Sequence, residues 1–128
     1  MGNPIGAGEI EQGVSDYGAL LVNGTIFPRE DDEIHPRTLV GTGKEGRFVL
    51  FVVADGRQSG YSEVISLYEA AVLMQEHGCQ DAVNQDGGGS SIMLISRGDR
   101  LVVVNRPSGG DPRPIPVMLA VRKLAGKE

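Results

Sequence analysis

The chain has 128 residues, 40% of them hydrophobic and 23% charged, with a formal net charge of −5. That length gives one domain a real core without room for a second; the acidic balance and the absence of Trp exclude a general nucleic-acid binder, which needs a basic stripe or stacking platforms. A single cysteine, Cys79, excludes an intrachain disulfide and a thiolate metal centre built from one chain.

The first eighteen residues are turn-rich and read as a loop or edge segment. The start, MGNPIGAGEIEQG, has no basic stretch followed by an apolar one, so it shows no signal peptide. Gly6 stands where a myristoylation site needs Ser or Thr. ALLVNGTIF (19–27) reads as two short strands around Asn23-Gly24, the strongest short hairpin signal. PREDDEIHP (28–36) is a solvated loop whose acidic residues lack calcium-loop spacing. RTLVGT (37–42), a GKEG turn and RFVLFVVAD (47–55) form a second hairpin. Its second arm is nearly continuous in apolar residues, which predicts a central strand buried on both faces.

Ser66, with Glu69 three residues on, is a capping box that opens a helix over about 66–77. Leu67, Ala70, Ala71 and Met74 lie on one face of it, and Gly78 supplies the stop. His77 and Cys79 are two apart, a spacing that points helical side chains away from each other, so Cys79 reads as a small buried residue at the helix end. AVN (82–84) is a short strand, and SIMLIS (91–96) with RLVVVN (100–105) is a third hairpin. The Arg97-Gly98-Asp99 tripeptide between those arms is explained by the turn alone, without an adhesion partner. IPVMLAVRK (115–123) reads as a last strand, and no stretch reaches the roughly 18 apolar residues of a membrane span. The fold class is α+β: a mixed, mainly antiparallel β-sheet with one clear helix packed on it, in a single domain over 1–128.

The most unusual stretch is N-Q-D-G-G-G-S-S, residues 84–91. Three glycines in a row destabilise a fold unless the backbone needs them. Bare consecutive amides form a concave anion site, to which Ser90 and Ser91 would add hydroxyl donors. The run is neither a Walker A loop nor a dinucleotide fingerprint. Polar groups recur where apolar strands stop: Arg37, Asp55 with Arg57, Asp86 and Asn105. Gathered at one rim, two aspartates among arginines suit a ligand that is both sugar and phosphate, since carboxylates stabilise an oxocarbenium centre and arginine forks hold phosphate oxygens. The alternative is that Asp55 and Asp86 cap turns, with the arginines as surface partners.

Taken together, H-P-R-T-L-V-G-T-G-K-E-G-R-F-V-L-F-V-V-A-D-G-R-Q-S-G-Y-S, S-L-Y-E-A-A-V-L-M-Q-E-H-G-C-Q-D-A-V-N-Q-D-G-G-G-S-S-I-M, V-V-N-R-P-S and P-R-P-I-P-V-M-L-A-V resemble the phosphodiester glycosidase family over about His35 to Val121. The resemblance implies a hydrolase acting on the bond between a sugar's anomeric carbon and a phosphate. It makes Asp86 the first choice for a catalytic carboxylate and Asp55 the second. It assigns substrate binding to Arg37, Thr38, Arg57, Gly87, Gly88, Gly89, Ser90, Asn105 and Arg113, with Arg37 and Arg57 on the phosphate. The implied partner is a sugar phosphodiester or glycan, in an extracytoplasmic or luminal compartment. No cofactor is implied, and no ligand spacing marks a divalent cation.

The chain departs from the family pattern at Gln85, where a Leu usually precedes the aspartate, at Val64-Ile65 and at Val117. The family's upstream N-G-G-F-F-like segment is also missing ahead of GNPIG. Those departures support a second expectation: a non-catalytic carbohydrate- or cell-envelope-binding module, or an inactive fragment. The lost strand would leave an open sheet edge through which copies of the chain pair.

Overall fold

The computed structural model describes residues 18–30, 33–56, 60, 65–111, 113–115, 118–123 and 125. Its centre is a five-stranded sheet built from two local hairpins and one inserted strand. β1 (Ala19–Val22) and β2 (Thr25–Ile26) meet through Asn23-Gly24, with both residues at positive φ, 48° and 79°. That is the geometry a type I′ turn requires, and Asn and Gly adopt it at low cost. β3 (Arg37–Gly43) and β4 (Val49–Ala54) form the second hairpin, joined by a short 3-10 turn at Lys44–Gly46. β5 (Cys79–Asn84) follows the helix and lies between β1 and β3, giving the order β2-β1-β5-β3-β4. Every pairing is antiparallel.

The helix α1 (Leu67–Glu76) begins where the capping box places it. Ser66 Oγ accepts from Glu69 N at 3.1 Å, and Glu69 Oε2 accepts from Ser66 N at 2.9 Å. Ala70, Ala71 and Met74 bury the inner stripe of α1 against Leu20, Leu21, Leu39, Cys79 and Ala82. Each fully buried leucine contributes about 1.5–3 kcal/mol relative to exposure. Gly41 lets the helix sit this low: a Cβ there would lie 2.7 Å from both Cys79 Sγ and Met74 Cε. Cys79 is buried as expected, though as the first residue of β5 just beyond the helix, and burial pushes its thiol up.

Three expectations need correction. Among the described residues β4 is an edge strand, not a central one. Its inner residues Leu50 and Val52 pack on the core, while the rest of the strand is half-buried and Val49 is 53% exposed. An unbroken apolar run thus marks a strand with one face on the core and the other only partly covered. The strand expected as AVN is longer, running from Cys79 to Asn84, and it takes the inner position. The last strand expected over 115–123 does not form among the described residues: 118–123 pair with nothing and lie exposed. The loop expected over the first eighteen residues falls, but for Gly18, outside the described residues, as does Arg57.

The third hairpin forms as expected, with β6 (Leu94–Arg97) paired to β7 (Arg100–Val103) as a separate two-stranded sheet. Its turn is Gly98-Asp99, with Gly98 at φ 67°. No helix among the described residues is long and apolar enough to cross a membrane.

Candidate active site

Antiparallel pairing decides which strand ends meet. Arg37, the first residue of β3, pairs with Ala54, the last of β4, so Asp55 follows at the same end of the sheet. Leu39 pairs with Asn84, the last residue of β5, so Gln85 and Asp86 also leave at that end. The sheet therefore brings Arg37, Asp55 and Asp86 to one rim, two of them on strands far apart in sequence.

The glycine segment folds back onto the start of β3. Gln85 N donates to Thr38 O at 2.7 Å, and Gly88 N donates to Pro36 O at 2.9 Å. A Cβ on Gly87 would stand 2.6 Å from that same Pro36 oxygen, so only glycine permits the approach. Gly88 has φ +58°, the left-handed conformation that opens the 3-10 turn Gly88–Ser90. Ser90 N and Ser91 N donate to Gly87 O and Gly88 O at 3.0 and 3.2 Å. Three of the amides expected to line an open anion nest are thus bonded within the protein. The glycines serve close approach first; the amides of Gly87 and Gly89 keep no partner among the described residues.

Arg113 closes the far side of this segment. Its Nη2 donates to Ser90 Oγ at 2.7 Å, and its guanidinium lies flat against Gly89, where a Cβ would be 3.2 Å from Cζ and Nη1. The residue is exposed and makes no other hydrogen bond among the described residues.

Asp55 and Asn105 meet across fifty residues. Asn105 Nδ2 donates to Asp55 Oδ1 and to Ser91 O, both at 2.8 Å, while Asn105 Oδ1 accepts from Met93 N at 2.7 Å. Arg106 N donates to Asp55 Oδ2 at 2.8 Å. Both oxygens of Asp55 and both donors of Asn105 are occupied, so this pair ties the end of β4 to the exit of the glycine segment. Asp86 differs: it is exposed and makes no hydrogen bond or ion pair among the described residues.

A shallow open depression of about 180 Å³ lies beside this rim, lined by His35, Pro36, Arg37, Asn84, Gln85, Gly87 and Gly88. Arg37 is 8% exposed; its Nε and Nη2 donate to Ile65 O and Glu33 O at 3.4 and 3.1 Å. Thr38 does not line the depression. Side chains alternate along a strand, so Thr38 points to the face opposite Arg37 and Leu39, and its Oγ1 is sealed without a partner among the described residues.

Asn84 and His35 are site residues that sequence reasoning did not single out, and Gln85 stood out only as a departure from the family pattern. Asn84 pairs with Leu39 and shares its helix-covered face. It is 5% exposed, its Oδ1 is sealed, and its amide bonds to nothing among the described residues. An orphaned polar group of this kind costs about 1–3 kcal/mol. The available signal was an asparagine at an inward position of an otherwise apolar alternation. Among the described residues no three His, Cys, Asp or Glu side chains gather as a metal site would need.

The model of the phosphodiester glycosidase family matches residues 2–122. Among curated proteins, no relative matches. Among solved structures, the chain is similar to the catalytic domain of zebrafish N-acetylglucosamine-1-phosphodiester alpha-N-acetylglucosaminidase, auto-inhibited by its pro-peptide, at 26% identity and a TM-score of 0.63. That similarity covers 80% of this chain and 39% of the other, so the chain spans well under half the length of the structure it matches. With a match over nearly its whole length, the chain belongs to the phosphodiester glycosidase family.

Proposed function

We propose that this chain hydrolyses a glycosyl phosphodiester, breaking the bond between the anomeric carbon and the phosphate oxygen. Water supplies a hydroxyl to the sugar and a proton to solvent, and a phosphate monoester leaves. Because that leaving group is already a stabilised anion, electrostatic stabilisation carries more of the barrier than proton donation does. Asp86 is the essential carboxylate in this reading, stabilising positive charge at the anomeric centre or activating the attacking water.

The observation that supports this best is the contrast between the two aspartates. Among the described residues Asp86 has no partner at the head of the glycine segment, while the carboxylate oxygens of Asp55 accept from Asn105 and Arg106. Asp55 is accordingly assigned to holding the rim together. Arg113, which donates to Ser90 and lies against Gly89, whose amide keeps no partner among the described residues, is the phosphate contact. Arg37 adds positive charge behind it, since two of its N–H groups already hold backbone carbonyls.

The test is release of free sugar from UDP-N-acetylglucosamine or a simple sugar phosphodiester. Asp86→Asn should lower turnover about 10²-fold or more. Wild-type-like turnover in that variant removes Asp86 from catalysis. A wild-type chain that holds the diester without cleaving it is a binding module instead.

A further inference from the structure

Two neighbouring carboxamides line the depression with nothing to bond. Asn84 is buried with its Oδ1 sealed and unpartnered, which leaves only its NH₂ to meet a ligand, while the half-buried Gln85 makes no side-chain hydrogen bond among the described residues. A carboxamide is uncharged and offers donors and an acceptor together. That pairing complements hydroxyl and acylamido groups, which also give and take. It complements a phosphate poorly at Gln85, because an ionised phosphate only accepts and would face the Gln85 amide oxygen.

The other walls fit the same ligand. Gly87 and Gly88 present backbone without side chains, so a sugar ring can approach closely. The Arg37 guanidinium directs two donors into the protein. The anion-seeking groups lie elsewhere, at Arg113 and Ser90.

The geometry points to a division of the rim into two subsites: the depression takes the sugar ring, its hydroxyl and acylamido groups read by the Gln85 carboxamide with the Asn84 NH₂ as a further donor, and the Ser90–Arg113 side takes the phosphate. This rests on the glycosyl-phosphate reading above and makes two residues outside that mechanism the determinants of sugar specificity. Gln85 matters most, because its side chain is accessible and interchangeable.

The experiment titrates the isotope-labelled chain separately with N-acetylglucosamine and with inorganic phosphate, following the side-chain NH₂ signals of Asn84 and Gln85 and the Nε–H of Arg113. The sugar should move both amide signals, and phosphate should move Arg113 alone. Gln85→Leu should weaken sugar binding about fivefold, the value of one lost hydrogen bond, with phosphate binding unchanged. Asn84→Ser should do the same if folded, and Gln85→Leu carries the test if it is not. The inference is overturned if the sugar leaves both amides unmoved, if phosphate moves them, or if Gln85→Leu binds sugar as the wild type does. A chain that binds N-acetylglucosamine through these amides but cleaves no diester refutes the hydrolase reading and leaves the subsite standing. Cleavage with silent amides refutes the subsite alone.

Discussion

Replacing Asn105 with alanine removes one side chain and strands three groups. Met93 N loses its acceptor, Ser91 O loses a donor, and Asp55 Oδ1 loses the amide that held it at 2.8 Å. Neutral hydrogen bonds are worth about 1 kcal/mol net each, and one to a charged carboxylate about 1.5–3 kcal/mol. All three are partly buried, so water recovers some of the loss, and about 3 kcal/mol is the expected destabilisation. For a domain of this size that lowers the melting temperature by roughly 10 °C. Urea unfolding is the direct assay: the midpoint should fall while the slope stays fixed, because the native surface hardly changes. A double-mutant cycle with Asp55→Ala isolates the pair and should return a coupling of about 1 kcal/mol or more. A loss well under 1 kcal/mol for Asn105→Ala, or strict additivity in the cycle, would refute the claim that this pair ties the sheet to the glycine segment.

Gly87→Ala should destabilise by about 1–3 kcal/mol, since the added carbon meets a backbone oxygen at 2.6 Å that must move. Thermal melts read the stability, and sugar release should fall further than the melt explains because the segment carrying Asp86 is displaced. Cys79 supplies a pH signature. Burial raises its folded-state thiol above the unfolded value, so between those values the native state keeps a proton the unfolded chain has lost. Stability should then be flat below the ordinary thiol range near pH 8.5 and decline as pH rises through it. Unfolding midpoints of the wild type and Cys79→Ala from pH 7 to 10 should show that decline in the wild type and a flatter course in the variant.

Local signals were legible, and they were legible because their partners lie close in sequence. Asn23-Gly24 fixes its turn by backbone preference alone, and Ser66 with Glu69 start a helix through two bonds three residues apart. The rank of strands within the sheet was not legible. The apolar run of β4 matched a central strand, yet the centre went to β5, whose CQDAVN carries two polar residues outward and a third, Asn84, inward. Nothing local says that β5 inserts between two hairpins.

The site divides the same way. The glycine run announced itself by composition, but the reason for it, the oxygen of Pro36 fifty residues upstream, exists only once β5 lies beside β3. Asn105 shared a strand-end pattern with Asp55, while its hydrogen bonds to Ser91, Met93 and Asp55 required the folded rim.

The place of β5 also bears on how the molecule comes together in time. The two flanking hairpins close over short loops and can form early and independently. The third component must thread between them after its helix, joining segments some forty to sixty residues distant, and that closure is the slow, entropically costly step. Asn84 stands at the end of β5, and Gln85, Asp86 and the glycine segment follow directly. The rim therefore forms only once that strand is in place, and a partly folded chain would own both hairpins yet no rim.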